Sequence, residues 1–171
     1  TDILGATTIS TSDTTYKYSI NGKTQYTGKE ILNPGDILVF SSVRTETTTQ
    51  GEDIYGGTWK TDEPLIVEQV YRAATNNKGK TIYIYDMFVN GAKVVLFNND
   101  ATPIRTAIEL NNIVTHSTGT DIFGNETKTT TITNYLIVMG KMVTSHVKST
   151  TSSTDILGAT TISTSDTTYK Y

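Results

Sequence analysis

Turn-forming residues interrupt this chain about every ten positions, the spacing expected of hairpin-connected strands. Between them, apolar and hydroxyl-bearing side chains alternate with a period of two, as on strands with one wet face. Asn21-Gly22 lies between Tyr16–Ile20 and Lys23–Thr27, and Asn90-Gly91 between Thr81–Val89 and Ala92–Phe97. Asn-Gly suits a type I′ hairpin because both central residues tolerate φ > 0. Asn33-Pro34-Gly35-Asp36 turns the chain into Ile37–Thr48, where Ile37, Val39 and Val43 are expected to face a core. Asn76-Asn77-Lys78-Gly79 separates Leu65–Ala74 from Lys80–Asp86, and Lys128–Val138 alternates Thr with Ile and Tyr. Pro103–Asn112 fits a helical period loosely and reads equally as a strand or a single helical turn. The pattern predicts an all-β chain, an antiparallel β-sandwich (Ig-like or jelly-roll) of about eight or nine strands.

Composition agrees. Threonine is about one residue in five, and Tyr outnumbers Phe by 10 to 4. Both favour half-buried pleated surfaces over helices. Apolar residues make up 36%, enough for a packed core, and cysteine is absent. A formal net charge of −3, scattered singly, argues against a nucleic-acid partner. No apolar run approaches the roughly 18 residues of a membrane span. Without an initiator Met or a signal peptide, the chain reads as a processed product or an internal fragment.

The segment TDILGATTISTSDTTYKY stands at Thr1–Tyr18 and again, unchanged, at Thr154–Tyr171. Residues 1–153 therefore read as a β-sandwich repeat unit, and 154–171 as either a donor strand or the start of the next repeat. The approach to the second copy runs from a β-branched stretch through Ser/Thr to Asp155-Ile156-Leu157-Gly158. The same form occurs internally before Asp53-Ile54-Tyr55-Gly56 and Asp121-Ile122-Phe123-Gly124. That likeness favours a natural tandem array over an appended strand, whose linker would be richer in Gly and Ser.

Lys29–Arg44, KEILNPGDILVFSSVR, resembles the opening of Ig-like repeats in bacterial and archaeal surface proteins: an apolar residue, Pro-Gly-Asp, then an alternating strand. The resemblance implies a tandem-repeat module of a cell-surface filament, stalk or adhesin, and it assigns no functional residue. The Thr-rich composition is similar to that of microbial surface fibres.

Catalysis is not expected. His116 and His146 lack partners at ligand spacing, and no nucleophile elbow or phosphate loop occurs. Glu52, Asp53, Asp62 and Glu63 are the candidates for a calcium site built from two loops, since calcium takes six to eight oxygens; no other cofactor is expected. Asn125-Glu126-Thr127 is a glycosylation sequon, with Asn125 the acceptor. The sharpest expectation concerns the duplicated segment. An edge strand exposes N–H and C=O groups that another chain can satisfy, so Ile156, Leu157, Ile162, Tyr169 and Tyr171 are the candidate strand-exchange residues. The expected function is a non-catalytic subunit or repeat of a secreted or cell-surface, pilus-like filament, joined to further copies of itself by strand complementation. The alternatives are an adhesin module that binds carbohydrate or a host receptor through Trp59 and surface Tyr rings, or a virion or phage-tail component.

Overall fold

The computed structural model describes residues 5–171. Its strands are β1 (Thr7–Ile20), β2 (Thr24–Tyr26), β3 (Leu38–Glu52), β4 (Thr58–Thr61), β5 (Leu65–Thr75), β6 (Thr81–Val89), β7 (Ala92–Val94), β8 (Ile108–Thr120), β9 (Glu126–Val138), β10 (Lys141–Thr154) and β11 (Thr160–Thr168). The fold is all-β, with no helix among the described residues. The eleven strands exceed the eight or nine expected. The ambiguous segment Pro103–Asn112 contributes the start of β8, and Pro103 bridges to Phe97.

Every pairing is antiparallel, and the strands form one hydrogen-bonded sheet. The two separate sheets expected of a sandwich are not seen in the pairing. The sheet forks at β3 instead. One edge of β3 carries β1, and β2 lies outside β1. On the other edge, Ser42–Thr47 pairs with β5 and Gln50–Glu52 with β4. One arm continues as β5-β6-β7, the other as β4-β8-β9-β10-β11.

The arms share a single apolar cluster. Met87 and Val89 of β6, Val94 of β7 and Leu96 meet Leu110 and Ile113 of β8 and Ile137 of β9. Val89 and Ile137 are wholly excluded from water, each burial being worth about 1.5–3 kcal/mol. Ile37, Val39 and Val43 do not join this core. Ile37 precedes β3 and is exposed, while Val39 and Val43 are half-buried, because β3 at the fork is nowhere fully covered. An aromatic row crosses the sheet near the core: Tyr16 and Tyr18 against Phe40, then Phe40–Tyr71, Tyr71–Tyr85 and Tyr85–Phe97. Burial, helped by neighbouring Tyr85, raises the Tyr71 phenol above its ordinary pKa.

Turn chemistry explains the hairpins. Asn21-Gly22 (φ 54° and 70°) and Asn90-Gly91 (φ 46° and 84°) take the positive φ values of type I′ turns. Met139-Gly140 adopts the same conformation between β9 and β10, although Met is not a turn former. The three internal Asp-Ile-x-Gly stretches prove to be one device. In each, the glycine N–H donates to the Asp carbonyl (Gly56 to Asp53, Gly124 to Asp121, Gly158 to Asp155). Each Asp Oδ1 accepts two further backbone N–H groups: from Tyr55 and Gly57, from Phe123 and Asn125, and from Leu157 and Ala159. The glycines sit at φ 84–92°, closing hairpins β3-β4, β8-β9 and β10-β11 at one end of the sheet. Ile122 packs beside Gly56, and Ile156 beside Gly124.

Away from the core, the sheet is a Thr/Ser-rich blade in the order β1-β3-β4-β8-β9-β10-β11, where residues 7–15, 45–52, 58–61, 114–120, 126–132, 147–154 and 160–168 include none that is buried. Ser10, Thr49, Thr61, Ser117, Thr129, Thr151 and Ser163 form a row of hydroxyls across it. Neighbouring hydroxyls bond directly: Ser10–Thr49 at 3.1 Å, Ser12–Thr47 at 2.8 Å and Thr129–Thr151 at 2.9 Å. Such cross-strand pairs are worth about 0.2–1 kcal/mol each, so repetition replaces burial as the source of cohesion here.

Candidate functional site: the two copies of the terminal strand

The repeated sequence forms a strand in both places, at opposite margins of the blade. In the first copy β1 lies along β3, with Thr7 opposite Glu52 and Thr15 opposite Arg44. In the second, β11 folds back on β10, with Thr160 opposite Thr154 and Thr168 opposite His146. Thr7 and Thr160 are equivalent positions of the repeat, so the same residues face different partners.

They also use different edges. Successive residues of an antiparallel strand direct their N–H and C=O groups to alternate sides. Asp155 N donates to Ala159 O at 2.9 Å and Tyr169 N to Ser145 O at 2.9 Å. Odd-numbered residues of β11 therefore bond to β10. Asn21 N donates to Ile37 O at 2.9 Å. The one irregularity in the β1–β3 ladder adds Ser41 to β3, leaving the alternation of β1 intact, so odd-numbered residues of β1 bond to β3. The copies are offset by an odd number, 153, so Thr161, Ser163 and Ser165 are equivalent to Thr8, Ser10 and Ser12. One copy is bonded through the edge that the other leaves open.

Thr8, Ser10, Ser12 and Thr14 point along the outer edge of β1, where the only partner among the described residues is β2, at Tyr18–Ile20. On β11, the edge carrying Thr160, Ile162, Thr164 and Asp166 has no partner strand among the described residues. All of β11 is exposed.

The candidate exchange residues fall in three places. Ile156 and Leu157 are not in the strand; they form the tip of the Asp155 turn and are 74% and 89% exposed. Ile162 lies mid-strand in β11. Tyr169 and Tyr171 follow β11, held by the Tyr169–Ser145 backbone bond and by Tyr171 Oη donating to Thr144 O at 2.5 Å. His146 Nε2 and Asp166 Oδ1 join β10 to β11 at 2.5 Å. The boundary at 153/154 runs through the end of β10, so the β10-β11 hairpin spans it.

Three of the four proposed calcium ligands have other work. Asp53 closes its turn, Asp62 accepts from Thr118 Oγ1 at 2.9 Å, and Glu63 lies 2.6 Å from His116 Nδ1. Among the described residues, no group of three or more metal-ligating side chains converges. Asn125 Nδ2 donates to Asp121 Oδ2 at 2.7 Å, and its Oδ1 accepts from Ile156 N at 3.2 Å, tying two adjacent turns together. Burial alone would raise the Asp121 carboxyl, but bonds from Asn125, Phe123 and Gly124 hold it below its ordinary value.

Trp59 is 37% exposed and lies beside Gly51, where a Cβ would collide with the indole. On its other side a Cβ at Gly119 would lie 2.9 Å from Thr58 O. Gly51 on the neighbouring strand gives the ring its place, a feature that spacing alone does not reveal. No Tyr ring stacks on Trp59 among the described residues. Among the described residues, no helix is long and apolar enough to cross a membrane. Comparison with protein-family models, curated proteins and solved structures finds no match for the chain.

Proposed function

We propose that this protein is a non-catalytic structural module of a secreted or cell-surface filament, and that its copies are joined by pairing of the repeated strand. The observation that carries this reading is the pair of identical strands at opposite margins of one sheet, bonded through opposite edges. Unpaired strand edges recruit further strands. A Thr-rich blade with two wet faces suits a solvent-exposed fibre, and an all-hydroxyl row needs no redox-sensitive or metal staple.

The test is assembly of the purified chain, followed by light scattering and electron microscopy. Thr164→Pro is the informative variant. The Thr164 N–H points to the open edge of β11, so proline there leaves the β10 ladder intact while blocking a new strand. The reading expects this variant to abolish assembly with the fold retained. Unchanged assembly would refute it.

A further inference from the structure

Resting on the strand-joined filament reading, we infer that consecutive units share the repeated segment as a single strand, held by β10 of one unit on one edge and by β3 of the next on the other. The sheet then runs through the joint without a break.

Three observations carry this. The edges used by the two copies are complementary: the backbone groups that β10 satisfies in β11 are those left open in β1, and those that β3 satisfies in β1 are those left open in β11. The space is also available. β2 covers the outer edge of β1 only at Tyr18–Ile20, whereas the β10 ladder ends at the bond to Tyr169, equivalent to Tyr16. A β10 strand therefore fits beside β1 up to the point where β2 begins. Finally, the hydroxyl row starts at Ser10 and ends at Ser163, the same position of the repeat. Superposing the copies joins row to row in register.

The occupant of the open edge of β11 is thus β3 of the next copy, with Thr160 opposite its Glu52, Ser165 opposite its Thr47 and Thr168 opposite its Arg44. Each unit adds β3, β4, β8, β9, β10 and the shared strand, six strands in the blade. At about 4.8 Å per strand the array lengthens by about 29 Å per unit, with strands across its axis.

The test uses a chain in which residues 1–153 precede the full sequence, oxidised with glutathione disulfide. The native chain has no cysteine to interfere. One pair, Ser152→Cys with Ile162→Cys, joins β10 of the first unit to the shared strand; these residues are opposite each other and not hydrogen-bonded. The other, Ser165→Cys with Thr47→Cys of the second unit, joins that strand to β3, mirroring the 2.8 Å Ser12–Thr47 contact. Both disulfides are expected within one molecule, in nearly every molecule, by mass mapping of unreduced peptides. Only one of the two forming would overturn the inference, since the strand would then belong to a single unit. Links between different chains would also overturn it, in favour of exchange in trans, while leaving the filament reading intact. Both links forming in chains that never assemble would support the shared strand and sink the filament.

Discussion

At the residue scale, a few side chains do most of the local work, and each can be isolated. Gly124 sits at φ 84°, where a Cβ is strained, so Gly124→Ala should cost about 1–2 kcal/mol by denaturant titration. The carboxylate that caps the same turn adds a pH dependence. Asp121 titrates below its ordinary 3.8 in the folded chain. Its stabilisation is therefore complete above the unfolded-state pKa and is lost as pH falls through the lower folded value. Asp36 and Asp100 are lowered in the same way, by bonds from Asn33 and Asn21 and from Thr102, and contribute with the same sign. The thermal midpoint should fall on acidification, and Asp121→Asn, which keeps an acceptor but does not titrate, should make that fall shallower. Trp59 supplies an optical probe, being the one tryptophan. Gly51→Ala should push the indole off the sheet and shift its emission. Unchanged fluorescence would show that the ring does not rest on Gly51.

At the element scale, the duplicated strand is an internal control, because one sequence occupies two environments. Amide exchange should alternate along both copies but with opposite phase. Thr7, Ile9, Thr11 and Asp13 should be protected on β1, whereas on β11 Thr161, Ser163 and Ser165 should be protected and Thr160, Ile162 and Thr164 should exchange quickly. Equal phase in the two copies would contradict the edge assignment. The Asn-Gly hairpins were legible because a type I′ turn is decided by the two residues that form it. The Asp-Ile-x-Gly stretches were legible as a recurrence but not as turns. Their centres, Ile54-Tyr55, Ile122-Phe123 and Ile156-Leu157, are apolar and exposed, against the usual turn composition. The turn follows from Asp capping the backbone and glycine accepting a positive φ, whatever lies between.

At the scale of the whole molecule, stability is unevenly placed. Ile137→Ala, at the centre of the cluster shared by the two arms, should cost about 2–5 kcal/mol. Ile162→Ala, on the exposed strand, should stay within about 0.5 kcal/mol of the native chain. Comparable losses at the two sites, measured by chemical denaturation, would mean that β11 is packed in solution. A core at one end and a wet blade at the other also explain why Ile37, Val39 and Val43 misled. Their alternation is that of a core strand, yet burial depends on which elements fold over them, and at the fork little does.

By itself, the sequence determined the all-β class, the I′ hairpins and the fact of duplication, since each follows from short-range sterics, a two-residue period or plain identity. The candidate site was only half written there. Repetition and strand character were visible in Thr7–Thr11 and Tyr16-Lys17-Tyr18, but the edge bonded in each copy was not. Nor did the sequence show that the arms fork at β3. Tertiary structure decided both. Alternation makes the two edges of a strand equally capable of pairing, and what fills each edge depends on segments outside the strand: β3, whose residues opposite β1 lie 18 to 45 positions further on, and β10, one tight turn before β11.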